Sequence, residues 1–178
     1  MYLNPNFIPL FLLLALSTST PIPITPRDAT AVLNDLGKIN TDLNTLTRAI
    51  TTYNGGLIPA LDIQAKETVV ERDLDQATPD TNAATPFTVD ESTRATSALL
   101  GLEPDIRSSL EGLIQKKPLV DQVGVGSIVR MDLRSLQSKT GLLSTALQQK
   151  TTDTDKRTLA SKTAELNAGF ESAISAYS

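Results

Sequence analysis

The side chains able to do chemistry in this chain of 178 residues are few in kind. There is no Cys and no His, which removes thiolate nucleophiles, imidazole bases, zinc sites, haem ligation through His and every triad built on His. Any reaction would have to run on Asp, Glu, Lys, Tyr or Ser, and any metal site on carboxylates suited to hard cations. The close acidic pairs are Glu67 with Glu71, Asp73 with Asp75, and Asp153 with Asp155. Carboxylates at i and i+4 share a helix face, but charge on a solvated face is the common explanation. Arg72, Lys156 and Arg157 stand nearby as partners. A glycosidase would draw its two carboxylates from distant segments, and nothing in the spacing recommends such a pair. No catalytic residue, no metal ligand and no cofactor is therefore assigned.

Two glycine-rich stretches are the other candidates. "YNGGL", Tyr53 to Leu57, lacks the Lys and Ser/Thr of a nucleotide-binding loop, and no strand precedes it. "VGVGSIV", Val123 to Val129, opens a helix whose free amides could hold an anion, but it has neither a preceding strand nor a third Gly. Both read as tight connections between helices, the first with Gly55 or Gly56 in the left-handed cap conformation.

The elements around these corners follow from apolar spacing. Val32, Leu36, Ile39, Leu43, Leu46, Ile50 and Tyr53 step by 4 and 3 in alternation, one stripe on a helix of about seven turns. Thr25 or Asp28 can cap its start, with Pro26 in the first turn. Ile58, Leu61, Ala65, Val69 and Leu74 predict a second helix to about Ala77, followed by an extended loop, "TPDTNAATPFT". Thr88 with Glu91 forms a capping box for a third helix, whose stripe runs Ala95, Leu99, Leu102, Ile106, Leu110, Leu113. Pro104 falls inside that stripe and predicts a kink or break near Gly101 to Glu103. "KKPLVDQVGVGS" reads as a connector. Val125, Val129, Leu133, Leu136, Thr140, Leu143 and Leu147 make a fourth stripe; Leu159, Thr163, Leu166, Phe170, Ala173 and Tyr177 make a fifth, capped by Thr152 or Asp153. No alternation of period two appears. The expected fold is all-α: a single bundle of five long, mostly antiparallel helices over residues 27–178, the third kinked near Pro104.

A chain of this length buries roughly two-thirds of its unfolded surface in one core. The net charge is −4 and the first charged residue is Arg27, so the acidic domain has no general attraction for nucleic acid or anionic lipid. The apolar run Ile8 to Leu16, followed by small residues at Ala15, Ser17 and Ser19, predicts a secretory signal peptide over residues 1–19. It is too short to span a bilayer, although no Lys or Arg precedes it. Residues 20–26, rich in Pro, are expected to be extended and flexible. No Asn is followed two residues on by Ser or Thr, so any sugar would be O-linked. Beyond the leader the aromatics are Tyr53, Phe87, Phe170 and Tyr177. A core of Leu, Ile, Val, Ala and Thr can pack dry or enclose an elongated apolar channel.

The stretches "TPRDATAVLNDLGKINTDLNTLTRAITTYNGG", "LEPDIRSSLEGLIQKKPLVDQVGVGSIV" and the terminal "FESAISAYS" together resemble the fungal hydrophobic surface binding protein A family, which includes the cell-wall galactomannoprotein antigens. The resemblance spans about Thr25 to Ser178. Its carriers are the Tyr53-Asn54-Gly55-Gly56 corner, Leu102-Glu103-Pro104, Lys116-Lys117-Pro118, Gly126-Ser127-Ile128 and the Tyr177-Ser178 end. It implies a secreted, non-enzymatic helical protein, extracellular or loosely wall-associated. It would bind hydrophobic surfaces or long-chain fatty acids, and the resemblance offers a secreted esterase or cutinase as a recruited partner. A wall mannoprotein without a specific small ligand is the alternative. On the stripes, an acyl chain is expected between helices near Leu99, Leu102, Ile106, Leu133, Leu136 and Phe170.

Overall fold

A computed structural model describes residues 29–178; the expected leader, the Pro-rich segment and the caps at Thr25 or Asp28 lie outside the described residues. Six helical segments follow: α1 (Ala29–Thr52), α2 (Leu57–Ala83), α3 (Val89–Leu100), α4 (Glu103–Gln122), α5 (Gly126–Lys150) and α6 (Asp153–Ala176). No strand forms among the described residues. The third helix of the sequence pattern is divided at Gly101–Leu102 into α3 and α4, which continue in the same direction. The division leaves Pro104 in the first turn of α4, where its missing N–H costs nothing. The stripe from Ala95 to Leu110 stays buried across the break, so the core is continuous although the backbone ladder is not.

Consecutive long helices reverse direction, but chain neighbours are not always spatial neighbours. The helices form a ring in which α1 packs on α2, α2 on α5, α5 on α6, and α6 on the α3/α4 rod, which closes back onto α1. Thr47 meets Ser109 at 2.7 Å and Asn44 Nδ2 donates to Asp105 at 3.2 Å, so α1 and α4 ascend side by side. Across the ring α4 and α5 barely touch. That gap leaves room on the bundle axis.

The corner Tyr53 to Gly56 turns as expected, with φ of +97° at Gly55 and +94° at Gly56. A side chain at either position would meet the penalty of the left-handed region. Thr88 and Glu91 complete the capping box, and Thr152 accepts from Asp155 N–H to start α6.

Two expectations are corrected by the helix ends. Residues up to Ala83, expected as loop beyond Ala77, belong to α2 and carry Pro79 inside it; Lys116 to Gln122, expected as connector, belong to α4 and carry Pro118. In each case buried residues follow the proline: Thr81 and Ala84 in one, Val120 in the other. Continued burial of the stripe offsets the lost backbone bond, a tertiary override of local preference. The end of α2 is also held by Lys150, whose Nζ donates to Asn82 O at 2.9 Å and Ala84 O at 2.7 Å. A cation on the last carbonyls satisfies them and complements the helix dipole. Lys150→Ala should therefore cost about 1–2 kcal/mol, read as a fall in the thermal midpoint with unchanged helicity by circular dichroism.

Candidate functional site

The ring encloses an apolar cavity of about 100 Å³ on the bundle axis. Its walls are Ile39, Leu43, Leu46 and Ile50 from α1; Val70 and Leu74 from α2; Ile106 and Leu110 from α4; Leu133 and Leu136 from α5; and Phe170 from α6. From Ile39 to Tyr53, just past the end of α1, the wall advances fourteen residue steps, about 21 Å at 1.5 Å per residue. The cavity is therefore long and thin. Of the six residues expected to line a channel, Leu102, Ile106, Leu133, Leu136 and Phe170 meet on this one cavity. Leu99 is buried in the core below it, without facing it.

One end of the cavity opens at the α1–α2 corner, among Tyr53, Ala60, Leu61, Lys116 and Val125. There Leu57, Ile58 and Leu61 are 51%, 81% and 52% exposed. Leu61 belongs to both the exposed patch and the cavity wall, so the patch is the rim of the opening. Ile58 and Leu61, with Ala65 and Val69, were expected on the inner stripe of the second helix, and that expectation is corrected. The buried stripe of α2 runs Val70, Leu74, Ala77 and Thr81, and continues back through Glu67. A glutamate in the stripe conceals its 3-and-4 spacing from a search for apolar residues. The same spacing, read with Glu67 allowed, would have found the inner face.

Six polar side chains beyond Tyr53 reach the cavity: Gln64, Glu67, Ser109, Lys116, Asp132 and Thr140. Ser109 is satisfied by Thr47, whose hydroxyl also donates to Leu43 O at 2.8 Å. Glu67 is 7% exposed and its Oε1 has no hydrogen-bond partner. Burial, then the nearby Asp132 and Glu71, pushes its carboxyl up to about 8, with Lys139 opposing. Asp132 is pushed up to about 6, by burial and then by Glu71. Glu71 itself faces outward to Lys139 of α5 at 3.5 Å, which also pairs with Asp75. The expected assignment of Glu67 to a solvated face is thus replaced by a neutral acid inside an apolar channel.

Such an acid makes stability depend on pH. The folded protein holds a proton on Glu67 at pH values where the unfolded chain, with an ordinary carboxyl near 4.5, has lost it. Native protons exceed unfolded protons between those limits, so stability falls as pH rises from about 4.5 to about 8. Asp132 adds to the lower part of that window. Thermal midpoints measured at pH 5 and pH 8.5 should differ in that sense, and Glu67→Gln should remove most of the decline above about pH 7, one unit past the Asp132 value of about 6.

At the closed face of the opening, Tyr177 OH donates to Leu113 O at 2.7 Å and Lys117 sits 5.6 Å from the Tyr177 ring centre. The chain end is thereby fastened to α4 beside the rim. Burial, followed by Asp121 and Tyr53, raises the Tyr177 hydroxyl well above its ordinary value, so it serves as a neutral donor. Asp153 and Asp155 begin α6, and Asp155 accepts from the buried Ser92 hydroxyl, a structural role. Among the described residues, no cluster of three or more His, Cys, Asp or Glu is placed to hold a metal ion. No helix among them is long and apolar enough to cross a membrane.

Comparison with known proteins agrees with this architecture. The structure is similar to that of AFMP4P in complex with palmitic acid, with a TM-score of 0.83 and 50% sequence identity, covering 85% of this chain and 100% of that one. It is also similar to ligand binding domain 1 of the Penicillium marneffei MP1 protein, complexed with arachidonic acids, at 17% identity and a TM-score of 0.79 over 84% of this chain and 99% of that one. Ligand binding domain 2 of the same protein, complexed with multiple arachidonic acids, gives 22% identity and 0.79 over 85% and 97%. At those identities the last two support the shared all-helical fold. No curated protein sequence matches. Residues 29–149 match the family model of hydrophobic surface binding protein A, and with half its residues identical to AFMP4P over nearly the whole of the described chain, this chain belongs to the hydrophobic surface binding protein A family.

Proposed function

We propose that this protein is a secreted, non-enzymatic carrier that takes one long acyl chain into the axial channel and rests against hydrophobic surfaces through the rim of that channel. The observation that carries the proposal is the apolar cavity on the bundle axis, about 21 Å long by the helix rise and opening at exposed Leu57, Ile58 and Leu61. With a carbon–carbon bond of about 1.5 Å, an extended chain advances about 1.25 Å per methylene. About sixteen carbons fit that length. The fatty acid in AFMP4P, a relative of 50% identity, is of this class.

The lining expected from sequence, Leu102, Ile106, Leu133, Leu136 and Phe170, would contact the chain, and Leu99 would support it from below. At the rim Lys116 supplies a cation for a ligand carboxylate. The void of about 100 Å³ is smaller than the cavities of about 150 Å³ that hold benzene, so the ligand must part the walls. α4 and α5 face each other across the ring with little contact, so they can move apart without breaking a packed interface between them. At about 0.8 kcal/mol per buried methylene, such a chain reaches micromolar affinity or better after association and opening costs. The test is palmitate binding to lipid-stripped protein, with a rise in thermal midpoint on saturation.

Surface adsorption is supported separately by the rim. Leu57 and Ile58 are exposed and outside the core, so replacing both with Ser should leave folding intact. Each side chain gains on the order of 1.5–3 kcal/mol when buried on an apolar surface. Depletion of the double variant from solution by hydrophobic beads is expected to fall at least fivefold. Undiminished depletion would place the adsorbing face elsewhere.

A further inference from the structure

We propose that the Glu67 carboxyl is a hydrogen-bond station partway down the channel, which makes the protein select acyl chains carrying a hydroxyl in their middle over plain chains of the same length. The inference rests on the acyl-binding proposal above and names the ligand class within it.

The station starts from an unmet acceptor. Glu67 is 7% exposed, lines the cavity, and leaves Oε1 without a partner. A buried oxygen that has lost water and gained nothing in exchange destabilises the empty state, and a donor brought by a ligand removes that cost. The charged and titratable groups around it do not fill the role. Glu71, one turn along the same helix, hydrogen-bonds to the Glu67 side chain and faces Lys139 of α5. Asp132 of α5 lines the same cavity and is an acceptor when ionised. Lys116 of α4 stands at the rim. α1 faces the channel only with Ile39, Leu43, Leu46 and Ile50, Tyr53 follows it at the rim, and α6 contributes only Phe170.

The protonation state is consistent with this role. Burial keeps Glu67 neutral at pH 7; a neutral carboxyl has one O–H, which Glu71 is placed to accept, and one carbonyl oxygen that itself accepts. With Asp132 beside it, this depth of the channel presents two acceptors, and the nearest cation, Lys139, is engaged by Glu71 and Asp75. A ligand carboxylate is repelled there and belongs at Lys116, whereas a hydroxyl finds what it needs.

Depth sets where along the chain that hydroxyl must lie. Glu67 lies six residues beyond Leu61 and ten beyond Leu57, about 9–15 Å from the rim along the helix axis. At about 1.25 Å per methylene, a carboxylate held at the rim by Lys116 places carbons about 8–13 next to Glu67. Hydroxyls near the carboxylate or at the far end would face apolar wall.

The experiment compares palmitate with hydroxypalmitates bearing the hydroxyl at carbon 2, at carbons about 8–13 and at carbon 16, by competition against a fluorescent fatty acid at pH 7. The wild type should bind the mid-chain isomers at least fivefold more tightly than palmitate, and the other isomers more weakly than palmitate. Glu67→Gln keeps an acceptor and a donor for Glu71, and should keep the preference. Glu67→Met, which keeps length and fold but offers no comparable acceptor, should reverse it while binding palmitate at least as tightly as wild type. Equal or weaker binding of the mid-chain isomers by wild type, with palmitate still bound, would overturn the station and leave the carrier proposal standing. A preference that survives in Glu67→Met would also overturn it. Failure of every chain to bind would overturn both.

Discussion

Val70→Phe is expected to lower palmitate affinity by about 30-fold or more, equivalent to about 2 kcal/mol, while the protein remains folded. Val70 is 3% exposed and lines the axial cavity from α2. A phenyl ring at that position fills much of a void of about 100 Å³ and carries no polar atom that would need a partner. Because the ring enters existing space, the overpacking cost should fall at the low end of the usual range of about 1–3 kcal/mol, and the ring's own apolar packing offsets part of it. The acyl chain, by contrast, loses its path past the middle of the bundle. Equilibrium binding and circular dichroism on the same preparation separate the two effects. Wild-type affinity in a folded Val70→Phe protein would place the ligand elsewhere.

Leu147→Ala is expected to do the opposite. Leu147 is fully buried and lies outside the cavity, in the half of α5 that packs below the channel floor. Deleting its buried atoms in a closely packed region should cost about 2–5 kcal/mol. For a domain of this size, the thermal midpoint should fall by about 5–15 °C. Palmitate affinity below the transition should stay within about twofold of wild type, because none of the walls is altered. The contrast divides the bundle into a packed lower half that carries stability and an upper half whose interior is given to a ligand.

The division explains which parts were legible from sequence. On α1, α5, α6 and the α3/α4 rod the inner face is written in Leu, Ile, Val and Phe at steps of 3 and 4, so four of the five stripes and the corner at Gly55-Gly56 could be placed from spacing alone. On α2 the inner face contains Glu67 and Thr81, whereas Leu57, Ile58 and Leu61 stand outside. Hydrophobicity therefore pointed to the rim and away from the wall. Pro79 and Pro118 misled for a related reason: the burial of Thr81, Ala84 and Val120 that carries the helices past them is a tertiary effect. Leu99 shares a stripe with Leu102 and Ile106, but how far the cavity reaches along that stripe depends on the packing beneath it. Asp132 carried no local signal and Glu67 only the 3-and-4 spacing it shares with Val70 and Leu74; one lies on α2 and the other on α5, and only the ring brings them to a common space.

The energetic logic of the channel is that of a core left unfinished. Natural interiors pack without large voids, and a bundle poor in aromatic residues could have closed on its axis. Here α4 and α5 stay apart, and a neutral carboxyl sits where an apolar side chain would pack best. Both features cost stability in the empty protein and are recovered when an acyl chain enters, so ligand binding and thermal stability should rise together.

Calorimetric titration of lipid-stripped protein with palmitate at several temperatures tests the central claim most directly. An axial channel predicts saturable binding with a stoichiometry near one and a negative heat-capacity change, the mark of apolar surface leaving water. Heats indistinguishable from dilution, with an unchanged thermal midpoint at saturating palmitate, would contradict it.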